Sequence, residues 1–85
     1  MGARRCRYDI YASILAYVAA AGRARVTEIA RFSNLPLNRA KRYLREMAEL
    51  GLIREYSSER GRFYAATERG FEYTALYRRI RALVG

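Results

Sequence analysis

The chain has 85 residues, 52% of them apolar, and 17 basic residues stand against eight acidic ones for a formal net charge of +9. That length holds one domain with a modest core, and the apolar share excludes an unfolded chain. With no histidine and one cysteine, Cys6, the composition excludes a Cys/His metal site, imidazole catalysis and an intramolecular disulfide.

The chain therefore reads as no enzyme, with no metal, no cofactor and an intracellular, cytoplasmic setting. Its basic surplus points to nucleic acid or an anionic surface as partner. Lys41 is the one lysine; the other basic residues are arginines, whose rigid fork suits phosphate and guanine edges.

In chain order, residues 1–7 carry Arg4, Arg5 and Arg7 and read as a loose basic arm. Residues 1–22 have the outline of a secretory signal peptide. Against that, Asp9 abuts the apolar run Ile10 to Ala21, and the run is shorter than the roughly 20 residues a bilayer span needs. Tyr11, Ile14, Leu15 and Val18 follow the i, i+3, i+4, i+7 spacing of an amphipathic helix, so the segment reads as a retained first helix from about Tyr8 to Gly22. No membrane role is expected. Arg23 to Val26 reads as an extended connection or a single strand.

Thr27 is predicted to cap a second helix with Ile29, Ala30 and Phe32 at its core positions. Ser33-Asn34-Leu35-Pro36 reads as a turn, and a third helix runs from about Pro36 to Leu50. Leu37, Ala40, Leu44 and Met47 mark its inner face, and Gly51 ends it. A strand over Leu52–Tyr56, a loop over 57–61 and a returning strand over 62–66 make a hairpin. Thr67 is predicted to cap a last helix reaching about Val84.

Two short helices around a tight turn, then a hairpin, resemble the winged helix-turn-helix family. The resemblance lies in Val26 to Gly70, above all in Thr27-Glu28-Ile29-Ala30, Leu50-Gly51-Leu52-Ile53 and Thr67-Glu68-Arg69-Gly70. It implies an α+β, mainly helical fold: a winged helix-turn-helix with a β-hairpin wing and a long C-terminal helix, as one domain over residues 1–85.

The third helix can be examined independently. Asn38, Arg39, Lys41, Arg42 and Arg45 face outward near its start, with Glu46 and Glu49 toward its end. Local stability favours the reverse order, since the helix dipole prefers acids at the N-terminus and bases at the C-terminus, each by about 0.3–1 kcal/mol. The pairs Arg42/Glu46 and Arg45/Glu49 also run in the weaker direction. An anionic partner accounts for this order. The resemblance implies that this helix enters the major groove of double-stranded DNA, with Asn38, Arg39 and Arg42 at base edges and Lys41 and Arg45 on phosphates. It also implies that the wing residues Arg60 and Arg62 touch the minor groove or flanking backbone. The eight tyrosines read as half-buried rings rather than stacking platforms for bases.

In the last helix Tyr73, Leu76, Ile80 and Leu83 are spaced 3-4-3, the pattern of a two-helix seam, so a homodimer is expected. Phe71 and Ala75 are expected to anchor that helix to the core. The alternative is that it folds back onto the alanine side of the first helix (Ala12, Ala16, Ala19, Ala20). The chain is similar to small archaeal winged-helix proteins that pair by a C-terminal helix, among them transcriptional regulators and architectural chromatin proteins. The leading expectation is a nucleoid-associated, sequence-specific dimeric transcriptional regulator. An architectural protein of low specificity, a protein-interaction module and an RNA-binding protein stay open. So does oxidative linkage of two chains through Cys6.

Overall fold

The computed structural model describes residues 5–85. Six elements follow one another: α1 (Arg7–Ala21), α2 (Val26–Ser33), α3 (Leu37–Glu49), β1 (Ile53–Ser58), β2 (Gly61–Ala66) and α4 (Glu68–Val84). The mainly helical α+β order with a hairpin wing is the one expected. Arg23–Val26 supplies a single bridge, Ala24 to Tyr64, rather than a full strand.

Local signals set the boundaries. Asp9 reaches back to accept from the Cys6 N–H at 3.1 Å and opens α1, and Gly22 closes it at φ +84°. At the end of α2, Leu35 N–H donates to the Ala30 carbonyl (2.9 Å) and Asn34 N–H to that of Arg31 (3.2 Å). This is the paired closure of a helix C-terminus, with Asn34 as its left-handed residue at φ 58°. The same closure ends α3: Leu52 N–H donates to Met47 and Gly51 N–H to Ala48, at 2.9 and 3.1 Å. Thr67 caps α4 as predicted, its hydroxyl oxygen accepting from Gly70 N–H at 3.0 Å.

Several expectations are corrected. The basic arm is shorter than residues 1–7, because Cys6 is the N-cap of α1 and Arg7 its first residue. Arg5 donates to the Ser33 carbonyl at 2.8 Å, and Arg4 lies outside the described residues. Thr27 sits inside α2; the N-cap is Arg25, whose main-chain N–H donates to Glu28 at 2.8 Å. Pro36 precedes α3 as its N-cap. The hairpin is tighter than expected, with only Glu59 and Arg60 between the paired Ser58 and Gly61. Phe32, Leu37 and Phe71 are exposed rather than core.

The core gathers Ile10, Tyr11, Ile14, Leu15 and Val18 of α1 against Ile29, Ala40, Leu44, Met47, Leu52 and Ile53. Burial of each large side chain contributes about 1.5–3 kcal/mol before entropy is set against it. Tyr11 is the hub of an aromatic cluster, with the rings of Tyr8, Tyr43 and Tyr73 each 6.2 Å from its own. Its hydroxyl donates to Glu46 at 2.8 Å and so ties α1 to the end of α3.

Gly70 lets α4 settle on this core, its missing Cβ leaving room for the Leu52 carbonyl and the Leu15 side chain. One turn on, the Tyr73 hydroxyl donates to the Tyr8 carbonyl at 2.7 Å. The Tyr77 hydroxyl donates to Asp9. These contacts run from Leu15 toward the start of α1, so the two helices are antiparallel. The last two turns of α4 therefore extend past the N-terminus of α1. No helix among the described residues is long and apolar enough to cross a membrane.

Candidate nucleic-acid interface

Helix α3 is held on its inner side by Ala40, Leu44 and Met47, all buried. At about 100° per residue, that places Asn38 and Arg42 at the middle of its outward face. Lys41 and Arg45 lie on the side of the hairpin, and Arg39 on the side of α1. All five are exposed. Arg39 leans on its own helix, its guanidinium 5.9 Å from the Tyr43 ring centre. The first turn of α3 has no acidic residue and no side-chain cap. Its first bonded N–H groups are those of Arg39 and Ala40, both donating to Pro36. The positive end of the helix, with the unpaired N–H groups of Leu37 and Asn38, therefore adds to the basic field.

The expected pairs Arg42/Glu46 and Arg45/Glu49 do not form. Glu46 is drawn inward to the Tyr11 hydroxyl, with the Arg7 Nε at 4.0 Å. A half-buried hydrogen bond from a neighbouring helix outcompetes an exposed helical ion pair worth a few tenths of a kcal/mol. Arg42 and Arg45 have no carboxylate partner among the described residues.

A cleft separates α3 from the hairpin. Lys41, Arg45 and Glu49 line it from the helix, Glu55 and Arg62 from the hairpin, and Val26, Leu44 and Tyr64 from below. Arg62 lies in β2, and its Nε pairs with Glu55 at 2.7 Å. Both side chains are exposed, and such a pair is worth about 0–1 kcal/mol, little enough for a phosphate to displace it. Burial, and secondarily the charge of Glu55, pushes the Tyr64 hydroxyl pKa up. Arg60 sits at the hairpin tip, where its N–H is held by the Ser58 hydroxyl at 3.2 Å.

Two basic residues were not singled out from the sequence. Arg23 and Arg25 flank the buried Ala24, and their guanidiniums lie 4.3 and 5.0 Å from the ring centre of Phe63 in β2. Their alternation around Ala24 is a strand-like signal, but Phe63 is distant in sequence. Along α4, Tyr73 turns toward α1, whereas Leu76, Ile80 and Leu83 are 52, 59 and 83% exposed. The apolar spacing thus serves two purposes: the first half of α4 packs on α1, and the second half presents a bare stripe.

A helix-turn-helix with an exposed basic second member, followed by a two-stranded wing, defines the class of this protein as a winged helix. The chain belongs to the winged helix-turn-helix family, whose profile matches residues 4–84. Among solved structures it is similar to Sso10a-2, a DNA-binding protein from Sulfolobus solfataricus. That match has TM-score 0.81 and 16% identity over 93% of this chain and 81% of the other. It is also similar to a MarR family transcriptional regulator from Silicibacter pomeroyi (TM-score 0.79, 19% identity, 86% of this chain and 50% of the other). A third match is a MarR mutant from E. coli complexed with operator DNA (TM-score 0.71, 16% identity, 78% of this chain and 49% of the other). The chain thus spans about half the length of these MarR regulators. At such identities the likeness is one of fold. No curated protein matches the chain by sequence.

Proposed function

We propose that this protein binds double-stranded DNA by inserting α3 into the major groove, and that it acts as a dimeric transcriptional regulator. The observation that carries the reading is the outward face of α3. Asn38, Arg39, Lys41, Arg42 and Arg45 are all exposed there, and the first turn, where the helix dipole disfavours cations, holds Arg39 and no acid.

Asn38 and Arg42, at the middle of the face, are the base readers: asparagine pairs two-pronged with adenine and arginine with guanine. Lys41 and Arg45 contact phosphates on the wing side, joined by Arg62 once Glu55 releases it. Arg39 reaches the backbone on the far side of the groove, and Arg60 reaches it from the wing tip. That Sso10a-2 is a DNA-binding protein, and that a MarR relative is complexed with operator DNA, agree with this use of the fold.

Leu76, Ile80 and Leu83 form the dimer seam against a second copy of α4. Ile80 and Leu83 lie on the last two turns of α4, past its hydrogen bonds to α1, and Leu76 continues the stripe back beside Tyr73 and Leu52. Paired heads would meet DNA about one helical turn apart.

Anisotropy titration with labelled duplex, competed by structured RNA, tests the reading. Duplex competitor should displace the probe and RNA should not, because the deep, narrow groove of A-form RNA does not admit a helix. Efficient displacement by RNA, or no binding to duplex at low salt, overturns the proposal. A low-specificity architectural role is the second reading. It is favoured by the spread of arginines beyond α3, on the hairpin and along α4.

A further inference from the structure

The outer face of the hairpin carries a second cationic surface. Successive strand residues alternate in direction, so Phe63 faces away from the cleft that Arg62 and Tyr64 line. Its ring is covered by the guanidiniums of Arg23 and Arg25, at 4.3 and 5.0 Å from the ring centre. Phe63 also stacks on Tyr56, with ring centres 6.0 Å apart, and the Arg54 guanidinium lies 5.7 Å from the Tyr56 centre. Three cations are thus gathered on two aromatic rings.

None of the three forms a salt bridge among the described residues. Glu28, the acid nearest Arg23 and Arg25 in sequence, uses its carboxylate on the main-chain N–H of Arg25, and Glu55, next to Arg54, pairs with Arg62. Like charges converging without a carboxylate between them repel, and an anion placed between them removes that repulsion. Ring stacking also fixes the guanidiniums in place, so less freedom is lost when a phosphate binds. This surface is continuous with the wing tip, because Arg25 donates to the Arg60 carbonyl at 2.7 Å.

We infer that Arg23, Arg25 and Arg54 form a phosphate-binding surface for the same DNA duplex, engaging its backbone outside the stretch covered by α3. The inference rests on the DNA-binding reading above and extends the footprint past the wing. Arg25 has a second task, positioning the wing through Arg60. Arg23 makes no such bond, and beyond its stacking on Phe63 its effect on the salt slope reports the phosphate contact.

The test is the salt dependence of binding to a duplex of about two helical turns. Wild type is compared with Arg23→Gln, with the Arg23→Gln/Arg25→Gln double variant and with the charge-preserving Arg23→Lys/Arg25→Lys variant. Each lost phosphate contact lowers the slope of log K against log salt by about 0.9. Arg23→Gln should lose about that much and the double Gln variant about twice as much, while the Lys variant keeps the wild-type slope. An unchanged slope in Arg23→Gln, while Arg42→Ala still weakens binding, overturns this surface and leaves α3 as the DNA contact. If neither wild type nor any variant binds duplex, the DNA-binding reading falls and this inference falls with it.

Discussion

Gly70→Ala poses a contest between helix propensity and packing. Inside a helix, alanine is favoured over glycine by about 1 kcal/mol, so propensity alone raises stability. At position 70 the added Cβ would lie 2.2 Å from the Leu52 carbonyl oxygen and 3.0 Å from Leu15 Cδ2. The carbonyl belongs to backbone and cannot swing aside. It already accepts the Thr67 N–H at 3.1 Å, while the Thr67 hydroxyl donates to the Gly51 carbonyl. Relief requires α4 to back away from the start of β1, loosening both bonds and the α1–α4 packing. Overpacking costs about 1–3 kcal/mol and occasionally more, and each lost hydrogen bond about 0.5–1.5 kcal/mol. Set against the propensity gain, the net is a loss of about 3 kcal/mol, or about 12–24 °C in Tm at this chain length. Thermal unfolding by circular dichroism, at concentrations where assembly is constant, measures it. A Tm at or above that of wild type would refute the close approach of α4 to β1.

Other predictions follow from individual contacts. Tyr11→Phe removes the hydrogen bond to Glu46 and should cost about 1 kcal/mol in chemical denaturation; no loss would mean that this bond does not tie α1 to α3. The Tyr11 hydroxyl, its pKa pushed up to about 12 by burial first and then by Glu46, should stay un-ionised in an alkaline titration taken just past the ordinary tyrosine value of about 10. Hydrogen bonds from the Tyr77 hydroxyl, then the Cys6 N–H and thiol, hold the Asp9 carboxyl below its ordinary value. A lowered folded-state pKa contributes stability above the ordinary carboxylate value that is lost as the pH falls through the folded one. Wild type should thus lose its Tm advantage over Asp9→Asn below about pH 4, and parallel curves would count against the contact. Ile80→Glu places a charge in the α4 stripe and should give monomers in sedimentation where wild type is dimeric, with little change in monomer stability. A monomeric wild type at every concentration removes the seam.

Much of the fold can be read from local spacing. The 3-4 repeat of α1, the stop at Gly22, the turn before Pro36 and the cap at Thr67 depend only on near neighbours, and the structure keeps all four. Where reading stops short, a distant partner or a competing local rule decides. Thr27 looked like the cap of α2, yet three residues after it stands Ala30, whereas three after Arg25 stands Glu28, the acid that reaches back. Glu46 looked like a surface partner for Arg42, but Tyr11 claims it from another helix. Phe32 and Phe71 were given core positions for their apolarity; Phe32 instead stacks on Tyr17, with ring centres 4.7 Å apart, and both remain exposed. The cationic face of α3 was legible because helical periodicity alone places its residues. The pairing of Arg62 with Glu55 and the stacking of Arg23 and Arg25 on Phe63 depend on hairpin register and were not.

The most direct test of the account is binding to a genomic duplex library at several salt concentrations, wild type beside Asn38→Ala/Arg42→Ala. The account predicts that a few sequences are enriched and that the substitutions erase the enrichment, each base contact being worth about 1–3 kcal/mol. Enrichment that survives the loss of both side chains, or no duplex bound even at low salt, would contradict the assignment of α3 as the reading helix.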